Sequence, residues 1–499
     1  MKRWIIHPFL VAAFPIVALY SQNVGYTSVT ELLLPLLASF IVVGLAMLLF
    51  WAIMRDVAKA GAAASLFIFI FFTYGPTRDV LRGVAHIRLV TNWTFLPLAG
   101  IVGLLLVVAI WRSKRDFKQS IGLLNVVAAC LLAVPSLAAV THAATSRSGP
   151  TATPADLVAL DSETRPDIYH IVVDAFGRPD VLREQYGLDL SGFVERMQKR
   201  GFVFPERSVC NYPLSMASIS STVTMQYHDE LIERMGPDSL DKQPYLRLLS
   251  EHRVARSLQH HGYTFVTFAS GWVGTDGMHS DIHHENTHGP TEFQQQVIRM
   301  TPLMPVFNYM IRDWVYGLHR DRILFAFDQI PELADDERPT YAMAHIMSPH
   351  EPFVFDSHGN PAQTEGTLAL IGDRFNHSPE AYRRLYAEQA RFISKKIEEA
   401  AEAILQRSPQ PPIIIIHADH GPSSRPGYDF DPIERMPILN CYHLPGDGAD
   451  KLYSTITPVN SFRLVLSHYL GADLELLPDE SYDLEAGKLY DMRRVTPER

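Results

Sequence analysis

Five apolar runs lie within the first 142 residues: Trp4 to Tyr20, Leu32 to Met54, Ala60 to Tyr74, Trp93 to Trp111 and Ile121 to Val140. A bilayer core offers no water to the backbone, so a spanning segment must bond its own amides as a helix of about 20 apolar residues. Most of the runs are near that length. Residues 1–142 therefore read as a membrane domain of about five transmembrane helices, the third run being the weakest of them. This local concentration explains why a 499-residue chain is 47% hydrophobic, more than one soluble domain of this size needs.

The basic residues set an orientation. Lys2 and Arg3, Arg55 and Lys59, and Arg112, Lys114, Arg115 and Lys118 fall in alternate loops, the pattern that retains positive charge in the cytoplasm. Arg78, Arg82 and Arg88 weaken the asymmetry without reversing it. An odd number of spans then puts everything after Val140 outside the cytoplasm. In a Gram-negative cell that is the periplasmic side of the inner (plasma) membrane. Met1-Lys2-Arg3 before an apolar run imitates a signal peptide, but no small-x-small cleavage site follows Tyr20, and four more spans argue for a retained anchor. Residues 143–166, rich in Ser, Thr, Pro and Ala, read as a linker, and residues 167–499 as a second domain. The net charge of −10 provides no basic surface for nucleic acid, and no internal repeat is present. Cys130 lies in the fifth run; Cys210 and Cys441 read as two buried free thiols rather than one bridge.

Beyond the linker, apolar strand candidates alternate with helical patterns. Ile168 to Asp174, Tyr263 to Ala269, Tyr341 to Met347, Ile413 to Ala418 and Met436 to Tyr442 read as strands, and Pro379 to Leu405 as an amphipathic helix. Strands separated by helices imply an α/β domain with a mainly parallel sheet flanked by helices. Two of these strands end in acids. Ile413-Ile414-Ile415-Ile416 runs into His417-Ala418-Asp419-His420-Gly421, and Ile168 to Val173 runs into Asp174. Reactive crevices in such sheets lie beyond the carboxyl ends of the strands, so Asp174 and Asp419 converge there, with His420 beside them as a nitrogen ligand for one metal ion. The bland alternative is a strand capped by a solvated Asp-His pair.

A hydroxyl completes the set. In Cys210-Asn211-Tyr212-Pro213-Leu214-Ser215, Pro213 stops an extended segment, and the small residues after it start a helix with Ser215 at or near its N-cap. The positive end of a helix favours an alkoxide, and a metal on that oxygen favours it further. An ordinary capping serine is the competing explanation, and Ser218 is the next choice of nucleophile. His279, His283, His284, Glu285 and His288 form a dense cluster, read either as a second metal site or as a polar His-rich loop.

Together, Val172-Val173-Asp174, Asn211 to Ser215, Ser348-Pro349-His350-Glu351-Pro352-Phe353 and Ala418-Asp419-His420-Gly421 resemble the alkaline phosphatase superfamily, in its sulfatase-like membrane branch with the phosphoethanolamine transferases and lipoteichoic acid synthase. Thr457 to Arg463 looks like a segment of uncharacterised sulfatase-like proteins and receives no role. The resemblance implies an alkaline phosphatase/sulfatase-like fold. It makes Asp174, Ser215, Asp419 and His420 ligands of one divalent metal, zinc or manganese ahead of calcium, with Ser215 as nucleophile. His350 would face the transferred group, with His345 as its companion at the substrate. The activity implied is phosphoryl-group transfer from a membrane lipid donor, through a phospho-serine, to an envelope glycan or lipid. Sulfatases of the formylglycine type need Pro two residues after the modified Cys or Ser and Arg two further on; Cys210 has Tyr212 and Leu214 at those offsets. Their calcium site pairs adjacent early acids, whereas Ala175 follows Asp174. Hydrolysis of a sulfuric ester or phosphodiester, and a catalytically inactive envelope-binding scaffold, are the alternatives.

Overall fold

The computed structural model describes residues 4–24, 27–83, 91–146, 157–162, 164–286, 289–335, 338–363, 378–425, 430–485 and 487–495. The chain forms two compact units, one of Met1–Gly149 with Pro290–Arg312, the other of Pro150–Gly289 with Asp313–Arg499.

The first unit is built on five apolar helices, α1 (His7–Gln22), α2 (Leu33–Met54), α3 (Val57–Gly83), α4 (Asn92–Arg112) and α5 (Ile121–Ser146). Four of them are long and apolar enough to cross a membrane. The exception is α1, whose 16 residues span about 24 Å, short of the ~30 Å hydrocarbon core. The sequence pointed instead to the third run as weakest, yet α3 is the longest of the five at 27 residues. It continues past Tyr74 through Arg78 and Asp79, polar residues at which an apolar run stops but a helix need not. Asn125 of α5 holds the start of α1: its Oδ1 accepts from His7 N at 2.9 Å and Ile6 N at 3.3 Å, so amides left unpaired at a helix start find a partner.

A second difference concerns residues 290–312, which the sequence placed inside the 167–499 domain. Phe293 and Val297 of the helix Glu292–Arg299 pack with Ala12, Ile16, Ile68 and Phe72 of the first unit. The Gly75 amide donates to Met300 O at 2.9 Å, and a Cβ at Gly75 would stand 2.3 Å from Arg299 O. Only glycine lets the two backbones approach so closely.

The second unit contains a seven-stranded sheet of β1 (Ile168–Val173), β2 (Phe202–Val203), β3 (Thr264–Phe268), β4 (Ile282–His284), β5 (Thr340–Ile346), β6 (Ile413–His417) and β7 (Asn440–His443). Their order is β2-β7-β6-β1-β5-β3-β4. β1 pairs in parallel with β5 and β6, and β3 in parallel with β4 and β5; β7 runs antiparallel to both β6 and β2. Four expected strands are present within a residue or two. The fifth begins at Asn440 rather than Met436, where Pro437 has no amide to give a ladder. Both Cys210 and Cys441 are free and buried.

All six residues of β1 are buried, as a central parallel strand covered on both faces requires. On one face Ile171, Val173, Ile414 and Ile416 meet Ile393, Ile397 and Ile404 of the helix Pro379–Arg407. The other face carries polar rings that no apolar pattern announces. His417 Nδ1–H donates to Ala418 O at 2.9 Å, so its Nε2 accepts from His170 Nε2–H at 2.8 Å. His170 Nδ1 in turn accepts from Tyr341 OH at 3.2 Å, and His252 Nε2–H addresses that hydroxyl at 3.3 Å. A neutral imidazole has one donor and one acceptor, and each ring here uses both.

Burial keeps such rings neutral. It pushes His252 and His319 down to about 3 and His228 down to about 4, from 6.5. Unfolding releases rings that take up protons between those values, so the unfolded state binds more protons and stability falls as pH drops below 6.5. Calorimetry of the full chain in detergent should show the second unit melting progressively lower from pH 7 to pH 5, with each ring contributing up to about 2 kcal/mol. A melting temperature unchanged across that range would contradict buried neutral rings.

Candidate active site

Strand register creates the site. β1 and β6 pair in parallel with Val172 opposite His417, so two residues further on Asp174 comes opposite Asp419. On the other side β5 brings His345 opposite Val172. Three neighbouring strands thus deliver polar groups to one carboxyl edge.

Asp174, Asp419 and His420 are each no more than 1% exposed, and each offers a ligand atom within 4.8 Å of the others. His420 Nε2 lies 3.3 Å from Asp419 Oδ2 and 3.8 Å from Asp174 Oδ1. Those two carboxylate oxygens are buried without a hydrogen-bond partner. Unpaired buried oxygens are costly and uncommon in a folded protein. Two of them facing one imidazole nitrogen fit a divalent cation.

The other oxygen of Asp419 is held. Oδ1 accepts from Ala175 N at 3.1 Å and from its neighbour His420 N at 2.9 Å. Ala175 adopts φ +62, a left-handed conformation that turns its amide toward Asp419 and is unfavourable by about 1–2 kcal/mol for a residue with a Cβ. Burial and the neighbouring Asp174 carboxylate push Asp419 up to about 6. Burial also acts upward on Asp174, but His350 and His345 outweigh it and hold that carboxyl well below the usual range. Burial and the Arg435 guanidinium depress His420, which is therefore neutral. Its Nδ1–H donates to Gly421 O at 3.0 Å, fixing the tautomer that leaves Nε2 open as a ligand.

Ser215 begins the helix Ser215–Thr224, one residue inside its N-cap Leu214 rather than at the cap itself. Its Oγ lies 3.1 Å from His420 Nε2. Ser218, the other candidate, is fully buried and its Oγ has no partner. The residues before Ser215 are firmly held. Tyr212 stacks on Tyr482 at 4.9 Å, and its hydroxyl accepts from His228 N at 2.8 Å. Asn211 Oδ1 accepts from Val459 N at 3.0 Å at the start of the helix Pro458–Leu470. The segment Thr457 to Arg463, left without a role by sequence, thus braces the Ser215 loop.

His345 is buried, with Nε2 3.6 Å from Asp174 Oδ2, beyond hydrogen-bond range, and Nδ1 3.2 Å from Thr275 Oγ1. It stands beside the Asp174 carboxylate and is 3% exposed. His350 is half-buried, its ring 6.3 Å from that of His420. Its Nδ1–H donates to Glu351 O at 2.6 Å, leaving Nε2 free to exchange a proton. The histidine-rich segment does not assemble: on β4, His283 bonds Thr267 Oγ1 at 2.9 Å while its neighbour His284 stacks on Phe268, and His279 is exposed. His288 lies outside the described residues. Among the described residues, Asp174, Asp419 and His420 form the one group placed to hold a metal.

Two residues that the sequence reading missed fix these loops. Arg435, 4% exposed, donates from Nε to Pro213 O at 2.9 Å and from Nη1 to Gly421 O at 3.1 Å, joining the Ser215 loop to the His420 loop. Gln389 bonds Pro349 O and His350 O through Nε2, and Val354 N and Phe355 N through Oε1, clamping the His350 loop. Neither stands in a pattern that distinguishes it from a surface residue.

A mixed, mostly parallel sheet with paired acids and an imidazole at its carboxyl edge, joined to a multi-pass helical membrane domain, defines a sulfatase-like enzyme anchored in a membrane. The Sulfatase family profile matches residues 166–453, more than half of the chain, and the chain belongs to that family. Among solved structures, the C-terminal periplasmic domain of EptC from Escherichia coli is 11% identical, covering 68% of this chain and 96% of its own, with a TM-score of 0.43. The integral membrane lipooligosaccharide phosphoethanolamine transferase A from Neisseria meningitidis is 12% identical over 93% of this chain and 94% of its own, with a TM-score of 0.42. A 2-O GAG sulfatase is 15% identical over 62% of this chain and 72% of its own, with a TM-score of 0.39. No curated protein matches the chain.

Replacing Arg435 with Lys keeps the charge but loses the fork that spans both carbonyls. Turnover of a nitrophenyl phosphodiester, or metal affinity measured by titration, should fall about 10–100-fold with little change in melting temperature. Activity equal to the wild type would remove Arg435 from the positioning of the site.

Proposed function

We propose that this enzyme is a metal-dependent phosphoryl-group transferase. It takes a phosphodiester headgroup from a membrane lipid and passes it, through a covalent phospho-serine on Ser215, to a lipid or glycan of the envelope. The observation that carries the reading is the hydroxyl of Ser215 at 3.1 Å from His420 Nε2, beside two buried carboxylate oxygens without partners. Asp174, Asp419, His420 and Ser215 are the residues that would hold one divalent ion, zinc or manganese in preference to calcium. When bound, such an ion supplies Lewis-acid stabilisation of charge on the phosphoryl oxygens and favours the ionised serine.

The remaining steps belong to the chain. Ser215 Oγ attacks phosphorus, the P–O bond to the lipid alcohol breaks, and His350 Nε2 delivers a proton to the departing oxygen. In the second half the neutral His350 Nε2 accepts the proton of the incoming hydroxyl, and Ser215 is released. His345, 3.6 Å from Asp174, takes no part in these steps. The half-buried setting of Ser215 leaves it reachable by a lipid headgroup, whereas Cys210 is fully buried.

Cys210 also separates this reading from formylglycine-type sulfate hydrolysis. Its thiol is pushed up by burial and its sulfur points to Arg435 O and Met436 Sδ, away from His420. Ser215 fails the same pattern, with Ala217 and Ile219 where Pro and Arg are required. The proposed location is the inner membrane with residues 167–499 on the periplasmic side, following the loop charges.

Full-length protein incubated with phosphatidylethanolamine should gain the mass of a phosphoethanolamine group on Ser215. Ser215→Ala should lose the adduct and at least about 10³-fold in turnover, Ser215→Thr should keep both in part, and Cys210→Ala should remain active. Chelation should abolish turnover, and zinc or manganese should restore it. A modified Cys210, or full turnover in Ser215→Ala, would overturn the reading.

A further inference from the structure

An apolar slot of about 270 Å³, open along one side, lies in the membrane unit between α3 and α4. Phe67 and Tyr74 line it from α3, Gly100 and Gly103 from α4, and Pro302 from the returning segment 290–312. Along α4 the slot extends from Leu96 to Val107, eleven steps of helix or about 16 Å. That is about half of the ~30 Å hydrocarbon core, the depth of one leaflet.

The space is kept open by missing side chains. A Cβ at Gly100 would meet nothing within 4 Å, and one at Gly103 would meet only the tip of Ile70 at 3.3 Å. Neither glycine is there to admit a neighbouring backbone, in contrast to Gly75. Tyr74 is the one lining residue with a hydroxyl, so the slot has no polar partners to hold water.

The end near Tyr74 differs. Tyr74 OH donates to Asn92 Oδ1 at 3.3 Å, and Arg78 Nη1 donates to the same oxygen at 2.9 Å. Arg78 is 7% exposed and pairs with Asp79 at 2.7 Å. An apolar slot one leaflet deep, ending beside this internally paired polar cluster, matches one acyl chain of a phospholipid.

We infer that the α3–α4 slot is a binding site for one acyl chain of a membrane phospholipid. The inference rests on the membrane unit alone and is independent of the chemistry proposed for Ser215. It gives Gly100 a purpose, since glycine is disfavoured inside a helix and no neighbouring backbone requires it here.

The test is photo-crosslinking of the full chain in nanodiscs doped with a phosphatidylethanolamine whose acyl chain carries a diazirine. Adducts should concentrate on slot residues such as Phe67, Leu96 and Val107 rather than on Leu105, a 64% exposed residue of the same helix that samples bulk lipid. Gly100→Leu should lower the slot adducts at least about tenfold, equivalent to about 1.4 kcal/mol, and leave the Leu105 yield unchanged. Should Gly100→Leu express poorly, Gly103→Leu and the wild-type labelling pattern decide. Equal labelling of Leu105 and the slot in the wild type, crosslinks to a second copy of the chain, or an unaltered pattern in the filled variants would overturn the inference.

Discussion

The juxtaposition of Asp174 and Asp419 is the constraint around which the catalytic unit is organised. Two carboxylates on adjacent parallel strands, both stripped of water, repel each other and resist ionisation together, which is why Asp419 is pushed up to about 6. The fold offsets part of this with oriented amides from Ala175 and His420 and with histidines around Asp174. What the protein leaves unpaired, Asp174 Oδ1 and Asp419 Oδ2, is the place where a divalent cation contributes most.

Around that pair the supporting contacts are mainly to backbone. Arg435 grips two carbonyls, Gln389 grips two carbonyls and two amides, and Asn211 joins the Ser215 loop to the helix Pro458–Leu470. Gly421 belongs to the same scheme: a Cβ there would stand 2.2 Å from Glu434 O, so the loop after Asp419 can pass only as glycine. Loops that would otherwise move are thereby held beside the two acids.

The membrane unit follows a different logic, because apolar burial gives little preference between lipid and protein. Its helices associate through specific features: Asn125 capping α1, His7 Nδ1 to Ser65 Oγ at 2.6 Å, and Gly75 admitting the backbone at Met300. Spaces left between such contacts are shaped for hydrocarbon, as in the α3–α4 slot. The return of residues 290–312 to this unit rests on Phe293 and Val297 finding apolar partners there.

The sequence alone determined the elements whose cause is local. Apolar runs become helices, β-branched runs become strands, and the acids after Val173 and Ala418 lie at strand ends whatever the fold. Asp174, Asp419, His420 and the Asn211–Ser215 loop were legible for that reason, through short-range pattern and family resemblance. Tertiary structure decided what depends on pairing across distance. The register that sets β1 against β6, the orphaned oxygens it creates, the choice between Ser215 and Ser218 as neighbour of His420, and the dispersal of His279, His283 and His284 arise only when separate segments meet. Arg435, Gln389 and the buried ring chain from His252 to His417 were silent in the sequence for the same physical reason. A side chain that bonds remote backbone carbonyls, or a histidine satisfied by another histidine 247 residues away, leaves no periodic trace along the chain.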